Sequence, residues 1–182
     1  IWGGASSIGS YGIQLAHASG LTVITTASPR HHAYLKSLGA THVLDYSDPD
    51  VVSKIRELSG GRLRYAYDTI SAETSELSAK ALNTENGQEA YLVFATAEPK
   101  VGPGVKITRT LGSVVLLNPE FGTSSYIEIE KLVHEGKLVP NRVEVIPGGL
   151  TGIQAGLAKL EKGVSGVKLV VKVGDKGEKG EL

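Results

Sequence analysis

Cysteine is absent from this 182-residue chain. Its absence excludes disulfides, thiolate nucleophiles and cysteine-based zinc sites within the chain. That usage suits a reducing compartment, and the expected location is cytoplasmic. Net charge is absent as well, because 19 Lys and Arg offset 19 Asp and Glu. Nucleic acid is therefore not an expected partner, and the one charge-rich stretch, residues 175–181, carries both signs. No apolar run approaches the roughly 20 residues that cross a bilayer, so no membrane association is expected. The amino end carries no charged targeting segment. It opens inside an apolar strand, Ile1-Trp2-Gly3-Gly4, and the chain is expected to be an excerpt of a longer protein. The remainder, 41% hydrophobic and 21% charged, has the composition of an ordinary globular domain, and the length suits one domain with or without an appendage.

From residue 1 to about residue 95, β-branched apolar runs alternate with segments of helical period, the signal for βα units on a parallel sheet. Strands are predicted over 1–3 (truncated), 22–27, 42–45, 65–70 and 90–94. Helices are predicted over 7–19, 30–38, 49–59 and 72–82, each long enough to cross between parallel strands. Gly20, Gly39 and the Gly60-Gly61 pair fall where left-handed helix ends are wanted. Pro49 is expected as a first-turn proline behind an Asp48 cap. A loop is predicted over 98–104, then a strand over 114–117, a helix over 124–135, a strand over 142–145, a helix over 150–162 and a strand over 168–173. Residues 174–182 are expected to form a mobile tail.

Gly4-Ala5-Ser6-Ser7-Ile8-Gly9 follows a strand and opens an amphipathic helix, the context in which a glycine pattern acquires meaning. It reads G-x-S-x-x-G, with Ser6 in the second glycine place of the dinucleotide fingerprint. A hydroxyl there donates to a phosphate oxygen, while the helix-turn amides and dipole favour negative charge. The plainer alternative is that Ser6 and Ser7 only cap the helix.

The end of the second strand selects between coenzymes. An NAD site places Asp or Glu about twenty residues after the glycines, where it accepts bonds from the ribose. Thr25-Thr26-Ala27-Ser28-Pro29-Arg30-His31-His32 has no acid, and the first one after the turn is Asp45. Ser28 and Arg30 suit a 2′-phosphate through charge-assisted hydrogen bonds, so NADP(H) is the expected cofactor. The alternative is that Arg30, His31 and His32 form the solvated first turn of a helix, although basic residues there oppose its dipole. Asp68-Thr69-Ile70-Ser71 ends the fourth strand at the carboxyl edge where open α/β sheets bind ligands. It either lines the nicotinamide half or caps the next helix. His17 and His134 have no second ligand at metal spacing and read as structural, and no metal site is expected. Hydrolase, short-chain reductase and methyltransferase readings each lack a required feature. There is no G-x-S-x-G elbow, no tyrosine with lysine four positions later, and no acid closing the second strand.

IWGGASSIGSYGIQLAHASGLTVITTAS, SLGATHVLDYSDPD and GGLTGIQAGLAKLEKGVSGVKLVVKV resemble the medium-chain dehydrogenase/reductase superfamily, which includes zinc-type alcohol dehydrogenases and quinone oxidoreductases. Ala27-Ser28-Pro29-Arg30-His31, with Leu63 to Ile70, is similar to its fungal trans-acting enoyl reductases. The resemblance implies a Rossmann-type, doubly wound parallel α/β sheet that binds NADP(H) over 1–147. A closing helix and strand over 148–173 would return toward a catalytic lobe outside this chain. It maps the 2′-phosphate contacts to Ser28, Arg30, His31 and Tyr46, with backbone near Leu117 and Val170 flanking the nicotinamide; the turn residues Gly4, Ser6, Ser7, Ile8 and Gly9 and the strand-end Thr69 and Ile70 complete the expected cofactor contacts. It assigns no catalytic side chain to this chain. The implied activity is hydride transfer from NADPH to an activated carbon-carbon double bond, on a small-molecule or thioester-bound substrate, with a polyketide synthase served in trans. Zinc-dependent alcohol dehydrogenation and a nucleotide-binding module without turnover remain the alternatives.

Overall fold

The computed structural model describes residues 1–173, and the chain divides into two compact units, Ile1–Val139 and Pro140–Leu182. The tail expected at 174–182 lies outside the described residues. After its opening segment, the first unit runs through α1 (Ser7–Ala18), β1 (Ile24–Thr26), α2 (His32–Ser37), β2 (His42–Leu44), α3 (Val51–Leu58) and β3 (Tyr65–Asp68). It continues through α4 (Ala72–Ala81), β4 (Ala90–Phe94), β5 (Val105–Arg109), α5 (Val114–Leu117) and α6 (Pro119–His134). Strands β1 and β2 pair in parallel, as do β3 with β4 and β4 with β5. The opening residues join the two groups: the Ile1 amine donates to the Ile24 carbonyl at 2.7 Å, and the Trp2 amide donates to the Tyr67 carbonyl at 2.8 Å. The spatial order is therefore β2, β1, opening segment, β3, β4, β5, the strand order of a doubly wound dinucleotide fold.

Period-2 alternation in β1 covers both faces of this sheet. Val23 points into a core with Ile13 of α1 and Leu35 of α2. Ile24 points the opposite way, against Trp2, Val51 and Ile55 of α3, and Ala81 of α4. Ile13 and Leu35 are fully buried, each contributing roughly 1.5–3 kcal/mol by leaving water. On α1 the buried Gln14 amide acts like a short strand: its Nε2 donates to the Val139 carbonyl at 3.2 Å, and its Oε1 accepts from the Val139 amide at 2.7 Å. That exchange pins the segment after α6 to α1.

The structure corrects the sequence reading at three places. The strand expected over 114–117 is the short helix α5, and the strand beside β4 is Val105–Arg109. The sequence VKITR alternates, and its apolar positions Val105 and Ile107 pack against the Leu82, Ala90 and Leu92 core. By contrast, Leu116 and Leu117 are exposed, so no sheet layer receives that apolar run. Helix α6 begins at Pro119 rather than near Ser124, because the Asn118 side chain accepts from the Phe121 amide and Pro119 takes the first helical position. Asp48 is not the cap of α3. Its Oδ1 accepts from the Asp50 amide and its Oδ2 pairs with Lys54, while Asp50 occupies the cap position without a side-chain bond.

Between β1 and β3 lies a cavity of about 730 Å³, lined by Ile1, Thr22, Ile24, Ile55, Tyr65 and Tyr67 among others. Ile1 bonds to β1 and Trp2 to β3, so strand alternation turns the backbone groups of Thr22, Ile24, Tyr65 and Tyr67 into this slot.

The second unit is one βαβ module. Strands β6 (Val143–Ile146) and β7 (Lys168–Val171) pair in parallel, connected through a 3-10 turn, Gly149–Gly152, and helix α7 (Ile153–Glu161). The helix expected from Leu150 thus begins as a tighter turn.

Candidate functional site

Parallel strands bring their carboxyl ends to one edge, and the sequence-predicted residues of the first unit gather there in two groups. One surrounds the glycine turn. Gly3, with φ +81°, makes the turn expected of Gly4. Its carbonyl accepts from the Ser6 amide at 2.9 Å, and its amide donates to the Thr26 hydroxyl at 3.1 Å. Gly4 and Gly9 are required by space. A Cβ on Gly4 would sit 2.3 Å from Thr25 Oγ1, and one on Gly9 would sit 2.2 Å from the Gly3 carbonyl oxygen. Ser6 is the N-cap of α1, its hydroxyl accepting from the Gly9 amide at 2.9 Å. Ser7 and Ile8 form the exposed first turn, and no protein acceptor meets the Ile8 amide among the described residues. With no acid in that turn, the helix dipole there is uncompensated and suited to an anion.

Thr69 and Ile70 reach this turn from the end of β3. Thr69 is buried, while Ile70 is exposed and a Cβ on Gly3 would meet its side chain. Their neighbours are occupied by structural bonds. Buried Asp68 accepts from the Ile70 and Ser71 amides at 2.8 and 3.2 Å through one oxygen. Ser71 closes a capping box with Thr74 on α4. Of the two readings offered for residues 68–71, capping therefore holds for Ser71.

The second group joins the ends of β1 and β2. The Ser28 and Tyr46 hydroxyls are 3.1 Å apart. Exposed Arg30 follows Pro29 in a 3-10 turn, and its Nε donates to Nε2 of buried His31 at 3.3 Å. That contact sets the His31 ring against the guanidinium. His32 bonds through Nε2 to the Ala27 carbonyl. Asp45 is turned to the Ser47 amide and hydroxyl, and these bonds hold its carboxyl below the usual carboxylate range. Among the described residues no carboxylate hydrogen-bonds the Ser28 or Tyr46 hydroxyl, and Asp45, next to Tyr46, is bonded to Ser47 instead.

Leu117 is exposed at the end of α5 and shares no hydrogen bond with either group among the described residues. Val170 belongs to β7 of the second unit. The sequence reading missed Thr25 and Thr26, whose hydroxyls bond the Ile1 carbonyl and the Gly3 amide. Their burial inside a strand was the available signal, because a polar side chain there needs a local partner. No group of three or more His, Asp or Glu capable of holding a metal ion occurs among the described residues, and no zinc site is assigned to them. No helix of the described residues is long and apolar enough to cross a membrane.

Fold and turn together define a doubly wound α/β domain of dinucleotide-binding topology. Residues 7–110 match the zinc-binding dehydrogenase family, and the chain belongs to it, within the medium-chain superfamily its motifs resemble. It is 34% identical over 191 residues to a zinc-type alcohol dehydrogenase-like protein of Schizosaccharomyces pombe, covering 95% of this chain and 55% of that one. It is also 34% identical to a trans-enoyl reductase of Alternaria alternata, covering 95% of this chain and 54% of that one. The structure superposes on a mycobacterial protein solved in complex with NADPH with a TM-score of 0.77 at 25% identity, covering 93% of this chain and 56% of that chain. The chain thus spans about half the length of the curated relatives it matches.

Proposed function

We propose that this chain is the NADP(H)-holding half of a medium-chain oxidoreductase that delivers hydride to a carbon-carbon double bond conjugated with a carbonyl. The observation that carries the cofactor choice is the hydroxyl pair at the ends of β1 and β2, Ser28 and Tyr46 at 3.1 Å with Arg30 two residues along, where Asp45 is bonded away to Ser47. A carboxylate there would repel a 2′-phosphate, whereas a guanidinium and hydroxyls bind it. In this reading Gly4 and Gly9 seat α1 close against the sheet, and a diphosphate meets Ser7 and Ile8 at its mouth. Ser28, Arg30 and Tyr46 take the 2′-phosphate, and His31 steadies Arg30. Ile70 faces the nicotinamide half, while the assignment of Leu117 and Val170 to that end rests on the family resemblance. Bound NADPH supplies the hydride, and the protein orients it and excludes competing reactions.

The trans-enoyl reductase relative supports an enoyl substrate, either small-molecule or thioester-bound, with a polyketide synthase as the partner served in trans. A cytoplasmic location accords with the cysteine-free sequence. Stopped-flow absorbance of the full-length polypeptide tests the activity. NADPH oxidation is expected with an enoyl thioester, and its absence alongside NADP reduction by an alcohol would replace this reading with alcohol dehydrogenation.

A further inference from the structure

The glycine turn is fastened to β3 by a hydroxyl relay between residues 63 positions apart. Ser6 Oγ and Thr69 Oγ1 are 2.8 Å apart. Thr69 Oγ1 also lies 3.0 Å from the Trp2 carbonyl and 3.2 Å from the Gly3 carbonyl. A hydroxyl has one hydrogen, and carbonyls only accept. With its one hydrogen shared between the Trp2 and Gly3 carbonyls, Thr69 accepts from Ser6 across the hydroxyl pair. The remaining capacity of Ser6 accepts from the Gly9 amide. Both hydroxyls are thus committed within the protein.

We infer that Thr69 is a positioning residue for the diphosphate turn, acting through Ser6, and that Ser6 itself gives no hydrogen to the cofactor. This rests on the proposed NADP(H) reading and changes the duty of two residues within it. Thr69 fixes the Gly3 carbonyl and the Ser6 hydroxyl, which together set where the first amides of α1 point. The diphosphate then meets backbone N–H groups held in place beforehand, and no side-chain reorganisation accompanies binding. The 2′-phosphate face at Ser28 and Tyr46 shares no hydrogen bond with this relay among the described residues.

The test uses the full-length polypeptide and two probes, NADPH and adenosine 2′-monophosphate, which has the adenine end but no diphosphate. Thr69→Val is expected to weaken NADPH by about tenfold, the scale of one organising hydrogen bond. Adenosine 2′-monophosphate should stay within about twofold of the parent, and Thr69→Ser should restore NADPH. Ser6→Ala reports on the same link if the valine variant folds poorly. The double variant should lose less than the sum of the two single losses, since the Ser6–Thr69 link is common to both. Unchanged NADPH binding in Thr69→Val, equal loss of both probes, or additive losses in the double variant would overturn the inference. A parent protein that binds neither probe overturns the NADP(H) reading itself.

Discussion

Replacing Ser28 and Arg30 together with alanine is expected to weaken NADPH binding by about 100-fold while leaving NADH within about twofold. A charge-assisted bond to phosphate contributes roughly 1.5–3 kcal/mol and a hydroxyl bond about 1 kcal/mol, so losing both approaches two decades. NADH lacks the 2′-phosphate and does not exercise these groups. Arg30 is exposed, so its removal leaves no buried vacancy, and the melting temperature should hardly move. Fluorescence titration of the full-length variant with both coenzymes measures the ratio. Equal weakening of the two coenzymes would show that Ser28 and Arg30 do not read the phosphate.

Gly9→Ala should have the largest effect on the turn itself. The added Cβ would lie 2.2 Å from the Gly3 carbonyl oxygen and 2.9 Å from the Gly4 Cα. These are backbone atoms, so no rotamer change relieves the clash and the turn must open. A loss of about 3 kcal/mol in stability is expected, with NADPH binding abolished. Gly12→Ala, one turn further along α1, is the control. Its Cβ would meet nothing nearer than Tyr67 Cδ1 at 3.4 Å, and alanine in a helix interior gains about 0.5–1 kcal/mol over glycine. Urea unfolding should therefore move in opposite directions for the two variants. A Gly9→Ala protein as stable as its parent would contradict the packing of the turn.

Elements governed by local pattern were legible in the sequence. The βα alternation, the helix-ending glycines and the missing acid after β1 each follow from a short stretch of residues; the first two specify a doubly wound sheet, and the third underlies the proposed 2′-phosphate preference. Features decided by distant partners were not legible. VKITR and VVLL both contain β-branched residues, and only the neighbouring β4 edge decides that Val105–Arg109 is the strand. The positive φ falls at Gly3, and Gly4 is required because a Cβ there would meet Thr25 and Ile13, from separate elements. The Ser6–Thr69 contact spans 63 positions and leaves no mark in either local sequence. His31 stands in a stretch that reads as solvated, yet its ring is buried with Arg30 Nε 3.3 Å from its Nε2.

Isothermal titration calorimetry of the full-length polypeptide tests the central claim most directly, with NADPH and NADH titrated separately. Saturable heat with NADPH, and a Kd at least tenfold below that for NADH, is the predicted result. No heat from either coenzyme, or tighter binding of NADH, would contradict the account.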